Sequence, residues 1–399
     1  MSHYTYVIIG GGMTADAAVK GIREVDAFRS IGVFGMESEP PYNRPPLSKE
    51  LWKGGVPMTS IWRKTEDQDV ELHLGCKVES IDPQQKRIVD NKGTSHSFDK
   101  LLLATGGSPR QLPFGAGQII YFRTIADYRR LQALAEKGTR FAVIGGGFIG
   151  SEIAAALASN GKQVTMITPE QTIGSRVFPH DLGLYLNVYF EDKGVKLFTQ
   201  ETVVDVEARG DFVAVKSRAL KNAQVQELIV DGVVAGIGIR PNVDLAKAAG
   251  LQVDNGIVVD EYLRTSHPDI YAAGDVANFY NPLLRMRIRV EHEDNANTMG
   301  RLAGHNMAGE AEPYHHLPSF YSDLFELSYE AVGELDAGLE IVTCWTEEKR
   351  LGVIYYLRES RVRGVLLWNI WGAVNAAREL IAEPGPFKLA DLKKRLPLG

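Results

Sequence analysis

The residues of this chain best suited to chemistry are two glycine clusters, each placed after a short apolar run. They occupy 10–12 and 145–147. In such a turn the first glycine permits a tight bend and the second lets the backbone approach a pyrophosphate. A third small residue then packs a helix against a strand. That third position is Ala15 in the first copy and Gly150 in the second. Two such turns indicate two bound dinucleotides.

An acidic residue follows each glycine turn at a separation in the sequence that is typical of a residue in contact with a ribose. Glu37 lies about 25 residues after the first cluster, and we favour it over Glu39 because the strand length suits it better. Glu170 lies about 20 residues after the second turn. No arginine adjoins it to pair a 2′-phosphate, the nearest being Arg176, which favours NADH over NADPH. A surface carboxylate without a ligand is the alternative for both acids.

Lys49 and Glu152 are candidates for the chemistry itself. Two dinucleotides in one protein indicate a flavin and a nicotinamide that exchange a hydride. A lysine near a flavin stabilises charge on the reduced ring, and a carboxylate can hold that lysine in place. The sequence alone leaves simpler alternatives open: Glu152 as an acid favoured by the helix dipole, Asp275 as a helix N-cap, and His292 as a structural hydrogen-bonding residue.

These side chains need parallel strands and helix N-termini to position them. The apolar runs before both glycine clusters predict buried parallel strands, and the alanine-rich stretches after them predict helices. From about Tyr314, four strand-like runs with polar turns predict an antiparallel sheet, followed by helices at 372–381 and 388–396. The predicted fold class is therefore α/β, with two Rossmann-like dinucleotide-binding domains and a C-terminal α+β domain.

Composition excludes several classes of function. The net charge of −6 gives no support for nucleic-acid binding. Only Cys76 and Cys344 occur, far apart in the chain, so no local redox disulfide is expected and a reducing compartment is indicated. No apolar stretch approaches the roughly 18 residues needed to span a bilayer, and the N-terminus does not resemble a signal peptide. We expect a cytoplasmic protein without a metal site or a membrane span.

The order of the motifs resembles the FAD-dependent pyridine-nucleotide oxidoreductases of the ferredoxin-reductase type. The matching segments are Pro-Tyr-Asn-Arg-Pro-Pro-Leu-Ser-Lys (41–49), Ala-Thr-Gly (104–106), the second glycine turn with Glu152, Tyr-Ala-Ala-Gly-Asp-Val-Ala (271–277) and Arg-Val-Glu-His (289–292). The last domain is most similar to the apoptosis-inducing-factor branch of this family. The segments that carry that similarity are 320–324, 352–358 and 365–370.

The resemblance implies a glutathione-reductase-like architecture with a discontinuous FAD domain. That domain is expected at 1–117 and 236–313, with an NAD domain at 118–235 inserted in it. A C-terminal domain is expected at 314–399.

The resemblance also implies roles for individual residues. Lys49 and Glu152 are expected to form an ion pair beside the flavin and to be catalytic, and Tyr321, or Phe320, is expected to stack near the nicotinamide. The expected cofactor-binding residues are Gly10, Gly12, Ala15, Glu37, Arg44, Lys49, Thr105, Gly106, Arg110, Gly145, Gly147, Ile149, Gly150, Glu152, Glu170, Gly238, Gly274, Asp275, Glu291, His292 and Tyr321.

The expected activity is transfer of a hydride from NADH to flavin N5, followed by electron transfer to an external acceptor. A ferredoxin, a rubredoxin, a quinone or oxygen remain open as acceptors, and both a monomer and a homodimer remain open. The alternative is a redox sensor of the apoptosis-inducing-factor kind, whose long-lived reduced complex with the nucleotide is the signal. The short connection at 346–350 argues mildly against it. Glu293, where relatives often carry an aromatic residue or histidine, predicts a changed nicotinamide affinity or flavin potential.

Overall fold

This computed structural model describes residues 2–393 and 395–396. Lys394 and 397–399, which fall in the predicted last helix and domain, lie outside the described residues. The strands up to the second glycine turn are β1 (Ser2–Ile9), β2 (Ile31–Phe34), β3 (Glu71–His73), β4 (Val78–Asp82), β5 (Arg87–Asp90), β6 (Ser95–Leu103), β7 (Gly107–Pro109), β8 (Ile119–Tyr121) and β9 (Arg140–Ile144). The strands that follow it are β10 (Gln163–Thr168), β11 (Val195–Thr199), β12 (Glu201–Arg209), β13 (Phe212–Ala219), β14 (Val225–Val230), β15 (Gly232–Ala235), β16 (Ile239–Pro241), β17 (Ile257–Val258), β18 (Ile270–Ala272), β19 (Ala277–Asn281), β20 (Met286–Ile288), β21 (Ser319–Leu324), β22 (Leu327–Gly333), β23 (Glu340–Glu347), β24 (Leu351–Arg358) and β25 (Arg361–Trp368).

Helices separate many of these strands. The α-helices are α1 (Met13–Val25), α2 (Ile125–Lys137), α3 (Phe148–Ser159), α4 (His180–Asp192), α5 (Asp244–Ala248), α6 (Glu293–Met307), α7 (Val374–Ala382) and α8 (Leu389–Leu392). Short 3-10 helices occupy Pro45–Ser48, Glu50–Trp52, Met58–Ile61, Thr65–Gln68 and Gly274–Val276. Within the described part of the chain, no helix combines the length and the apolar character needed to cross a membrane.

The chain divides into two compact units, which are described separately. The described residues of unit 1 fall within 2–44, 59–108 and 240–319. Its main sheet has the order β3-β2-β1-β6-β5-β4, and β18 lies beside the last residues of β6. The pairs among β1, β2, β3, β6 and β18 are parallel. Strand β5 is antiparallel to both of its neighbours, β4 and β6. The carboxyl ends of β1, β2, β6 and β18 therefore share one edge, where ligands bind in parallel sheets.

Helices α1 and α6 pack against each other in unit 1 at backbone contact. A Cβ on Gly300 would lie 2.5 Å from the Thr14 carbonyl oxygen, and one on Gly304 would overlap the Ala18 carbonyl oxygen. Glycine therefore allows this close approach. Helix α6 was not predicted from the sequence, because its glycines and asparagines have low intrinsic helix propensity.

The described residues of unit 2 fall within 45–58, 109–239, 320–393 and 395–396. Its parallel sheet has the order β11-β10-β9-β15-β8, and β12-β13-β14 form an antiparallel sheet. A five-stranded sheet with the order β21-β22-β25-β24-β23 follows, and α7 packs on β22 and β25. Its pairs β22–β25, β25–β24 and β24–β23 are antiparallel. The predicted fold class is confirmed: two dinucleotide-binding folds and a C-terminal antiparallel sheet are present.

Candidate functional site

The first glycine turn joins β1 to α1 in unit 1. Gly10 has a φ of +131°, and a Cβ there would overlap the Ala104 carbonyl oxygen. Among the described residues, no side chain caps α1 at Gly12. The N–H groups of the first helical turn can therefore bind phosphate oxygens. Ala15 is fully buried under the turn. These observations fit the pyrophosphate of a dinucleotide.

Glu37 lies at the end of β2, where two neighbours hold its carboxylate. The Tyr42 hydroxyl donates to Oε2 at 2.5 Å, and Arg44 Nη2 donates to Oε1 at 2.5 Å. The same Arg44 nitrogen lies 3.9 Å from the place of a Cβ on Gly12, so the arginine reaches the glycine turn. Glu39 instead accepts a hydrogen bond from the neighbouring serine. The structure thus holds Glu37 in place beside the turn, and its contact with a ribose remains a prediction.

Gly274 and Asp275 come against the first turn of α1. Gly274 has a φ of +76°, and a Cβ there would overlap Thr14 Oγ1. Asp275 follows in a short 3-10 helix, and Arg289 Nη1 donates to its carbonyl oxygen at 3.1 Å. Arg289 also pairs with Glu291 at 2.6 Å. Unit 1 thereby brings Gly274 and Asp275 to the first glycine turn, as a common ligand site requires.

Thr105 and Gly106 are held by a residue that the sequence analysis missed, Asn242. The Thr105 hydroxyl donates to the Asn242 carbonyl oxygen, and Asn242 Nδ2 donates to the Thr105 carbonyl oxygen, both at 2.8 Å. The backbone N–H of Asn242 donates to the Gly106 carbonyl oxygen. No local signal could have identified Asn242, because its partners lie far away in the sequence.

His292 precedes α6, and its surroundings favour the neutral imidazole near pH 7. Burial lowers its pKa to about 4, and the nearby carboxylates of Asp275 and Asp294 only partly oppose this shift. A neutral imidazole offers one donor and one acceptor to a ligand. The predicted flavin-site role of His292 is compatible with this state and remains untested.

The second glycine turn joins β9 to α3 in unit 2. Gly145 has a φ of +103°, and a Cβ there would lie 2.5 Å from the Gly236 carbonyl oxygen. A Cβ on Gly150 would overlap the Gly145 carbonyl oxygen. Among the described residues, no side chain caps α3 at Gly147, and the Ile149 side chain is exposed. This turn also fits a pyrophosphate.

Glu170 follows β10 and accepts a hydrogen bond from Thr168 Oγ1 at 2.6 Å. The expectation that no arginine lies beside this acid is wrong, because Arg176 Nη2 lies 3.4 Å from Glu170 Oε1. The loop after β10 brings these two residues together, which their separation in the sequence concealed. The Arg176 side chain is 88% exposed and is therefore held weakly.

Arg110 and Gly238 meet in unit 2. The backbone N–H of Arg110 donates to the Gly238 carbonyl oxygen at 2.9 Å. Gly238 has a φ of +85°, and a Cβ there would lie 3.9 Å from Arg110 Nε. The cofactor contacts expected of both residues remain predictions.

Lys49 and Glu152 form the predicted ion pair in unit 2. Lys49 Nζ lies 2.9 Å from Glu152 Oε1, and both side chains are buried. Two serine hydroxyls also donate to the carboxylate: Ser48 to Oε2 at 2.6 Å and Ser322 to Oε1 at 2.5 Å. Neither serine was predicted from the sequence as part of this site. Because the two serines fix the buried Glu152 carboxylate, it can hold Lys49 in one position.

The two candidate aromatic residues of β21 lie in different surroundings. Lys49 Nζ lies 5.2 Å from the centre of the Tyr321 ring, within the range of a cation–π contact. Phe320 packs edge-on against Phe148, with ring centres 5.1 Å apart, at the start of α3. Tyr321 is thus next to the ion pair, and Phe320 is next to the second glycine turn. Which of them stacks on a nicotinamide remains a prediction.

Two pyrophosphate-type turns, each followed by an acid, indicate a protein that holds two dinucleotides. The chain is an FAD-dependent oxidoreductase that uses NAD(H). It belongs to the pyridine nucleotide-disulphide oxidoreductase family, which its residues 4–300 match. Residues 303–351 and 346–383 match the C-terminal domain of mitochondrion-associated apoptosis-inducing factor. The resemblance stated from the sequence motifs is confirmed.

Individual relatives cover nearly the whole chain. The ferredoxin–NAD(+) reductase component of the anthranilate 1,2-dioxygenase system of Burkholderia cepacia is 35% identical over 98% of both chains. Mitochondrial apoptosis-inducing factor 1 of Dictyostelium discoideum is 33% identical over 96% of this chain and 79% of its own length. The putidaredoxin reductase in a covalent complex with putidaredoxin superposes with a TM-score of 0.90 at 30% identity, covering 99% of this chain and 96% of that one.

Proposed function

We propose that this chain is an NADH-dependent reductase of a ferredoxin-type electron carrier. The observation that carries the proposal is the full-length similarity to a ferredoxin–NAD(+) reductase component, at 35% identity over 98% of both chains. The similarity to putidaredoxin reductase, whose structure is known with its putidaredoxin partner, supports the same acceptor class. A rubredoxin or a quinone is the next acceptor to test.

The residues of this chain contribute binding and electrostatics. Bound FAD supplies an acceptor for the hydride of NADH and a donor of single electrons. The two glycine turns would present to the two pyrophosphates helix N-termini that no side chain of the described residues caps. Lys49 would supply positive charge that stabilises a reduced flavin, and Glu152 would hold that lysine in position through their 2.9 Å ion pair.

We propose NADH as the preferred nucleotide. Support comes from Glu170, which Thr168 orients and whose carboxylate would accept a hydrogen bond from a free 2′-hydroxyl. The negative charge of Glu170 would repel the 2′-phosphate of NADPH. Arg176 moderates the preference, because it offers a positive charge 3.4 Å from Glu170.

The proposed domains are the FAD domain at 1–117 and 236–313, the NAD domain at 118–235 and the C-terminal domain at 314–399. A cytoplasmic location and a monomeric or homodimeric state also remain proposals from the sequence. The alternative function, a redox sensor, has less support. Strands β23 and β24 are joined by 348–350 alone, which leaves little chain for an order-to-disorder switch.

An anaerobic titration of the FAD-loaded protein with NADH, followed by addition of an oxidised ferredoxin, tests the function. We expect the flavin to bleach and the ferredoxin to be reduced over many turnovers. A long-lived charge-transfer band that persists after ferredoxin and air are added would instead support the sensor. A protein that binds no FAD would contradict both functions.

Glu152→Ala tests the proposed role of the ion pair. Removing one partner of a buried pair costs several kcal/mol of interaction, so we expect flavin reduction by NADH to slow by roughly 100-fold. FAD should stay bound, because the first glycine turn and Glu37 are unchanged. Stopped-flow absorbance measures the reduction rate, and an unchanged rate would reject the role.

A further inference from the structure

The Glu152 carboxylate accepts hydrogen bonds from more than its lysine. Its Oε1 receives Lys49 Nζ at 2.9 Å and Ser322 Oγ at 2.5 Å, and its Oε2 receives Ser48 Oγ at 2.6 Å. Lys49, Ser48, Glu152 and Ser322 are 8%, 4%, 4% and 1% exposed. The whole cluster is therefore nearly removed from water.

The two serines give this buried carboxylate hydrogen bonds in place of those that water would give. An ionised carboxylate out of water is stable only when a positive charge and hydrogen-bond donors replace its hydration. Lys49 Nζ approaches Oε1 at 2.9 Å, and Oε2 accepts a hydrogen bond from Ser48. Ser322 shares Oε1 with the lysine and limits the directions from which the ammonium group can approach.

The donors come from separate segments of unit 2. Ser48 ends a short 3-10 helix and Lys49 follows it, whereas Ser322 lies in β21 of the C-terminal sheet; their common acceptor, Glu152, lies in α3. The residues on either side of Ser322 contact the same segment: the Tyr321 ring lies 5.2 Å from Lys49 Nζ, and Asp323 pairs with Lys53 at 3.0 Å. Strand β21 thus contacts both members of the ion pair.

We propose that Ser322 and Ser48 are positioning residues, which hold the Glu152 carboxylate directed at Lys49 and thereby set the stabilisation of the reduced flavin. This inference rests on the proposed function, because it assumes that Lys49 acts on a bound flavin. It assigns part of that control to the C-terminal sheet, through Ser322.

The first test compares Ser322→Ala with Ser48→Ala in the FAD-loaded protein. Loss of one hydrogen bond to a buried charged group should slow flavin reduction at saturating NADH roughly tenfold. The KM for NADH should change little, because neither serine belongs to the second glycine turn. The midpoint potential of bound FAD, measured by dithionite titration with indicator dyes, should become more negative in both variants.

Ser217→Ala is the matched control. Ser217 is fully buried in β13 and donates to Glu201 Oε2 at 2.7 Å, so the variant loses the same kind of hydrogen bond away from the proposed site. We expect Ser217→Ala to lower the melting temperature by an amount similar to Ser322→Ala, with no change in potential. An equal change of potential in Ser217→Ala would overturn the proposal.

A double-mutant cycle with Lys49→Met decides whether the serines act through the lysine. If they do, Ser322→Ala should change the midpoint potential in the wild-type background and not in the Lys49→Met background. An equal shift in both backgrounds, or no shift in the wild type, would overturn the inference. If dithionite reduces the FAD of the wild-type protein and NADH does not, the proposed function is rejected. The inference about the serines would still be tested, because the midpoint potentials are measured with dithionite.

Discussion

The two glycine turns of this protein share a sequence pattern and differ in how small their third residue must be. In unit 1 the third position is Ala15, whose methyl group is accommodated at full burial. In unit 2 a methyl group on Gly150 would overlap the Gly145 carbonyl oxygen of its own turn. The second helix therefore starts closer to its turn than the first. Similar motifs can thus tolerate different substitutions, according to how the helix approaches.

The acids that follow the two turns differ as well. Glu37 is held by the charged Arg44 and by the Tyr42 hydroxyl, and these three side chains form one network. Glu170 is held by the Thr168 hydroxyl and by an arginine that is largely exposed. A carboxylate fixed by two short hydrogen bonds suits a cofactor that stays bound. A carboxylate with an exposed neighbour suits a nucleotide that enters and leaves in each catalytic cycle.

The largest effect is expected from Gly150→Ala, which brings the alanine of the first turn into the second. The added methyl group must displace backbone, and such overpacking costs about 1–3 kcal/mol, so flavin reduction at low NADH should slow by up to roughly 100-fold. FAD content should be unchanged. Stopped-flow reduction rates and the flavin absorbance of the purified protein measure these two quantities.

Gly147→Ala is the control for that experiment. A Cβ at this position meets no atom of the described residues within 4 Å, so the folded protein should keep its melting temperature. It should still weaken NADH binding, since the methyl group would occupy the approach to the pyrophosphate. If Gly150→Ala binds NADH as the wild type does, the second turn accepts a methyl group at its third position as the first turn does, which contradicts the comparison.

An intermediate effect is expected from Glu37→Gln. The amide keeps the shape of the side chain and loses the negative charge that Arg44 and Tyr42 contact, so FAD should bind roughly tenfold more weakly. Flavin fluorescence during dilution measures FAD release. The matched variant Glu39→Gln removes the neighbouring acid and should leave FAD affinity unchanged. Equal losses in the two variants would reject Glu37 as the ribose contact.

The smallest effect is expected from Glu170→Ala. Loss of a single hydrogen bond to a free 2′-hydroxyl should raise the KM for NADH roughly fivefold and leave the KM for NADPH unchanged or lower. Arg176→Ala in the same background should remove any gain with NADPH, because that arginine would then be the only proposed partner of the 2′-phosphate. Steady-state kinetics with both nucleotides gives the comparison, and equal losses for both would reject the assignment.

Local features of this protein could be predicted from its sequence. The strand, glycine turn and helix follow one another within about 20 residues in each copy, so the pattern of apolar residues and glycines indicates them directly. The strands after 339 were also predicted to within a few residues, because their apolar runs are bounded by polar turns. Family resemblance, rather than spacing, indicated the pairing of Lys49 with Glu152.

Contacts between distant segments were decided only by the tertiary structure. No sequence pattern indicated Ser322 beside Glu152 or Asn242 beside Thr105, since each pair joins residues more than 100 positions apart. Helix α6 was not predicted either, because its glycines are unfavourable in an isolated helix and become useful only when α1 packs against them. The loop after β10 brings Arg176 to Glu170, a contact that only the folded chain shows. Sequence patterns determine which backbone turns can form, whereas packing decides which side chains complete each site, because those side chains come from elements that meet only in the folded chain.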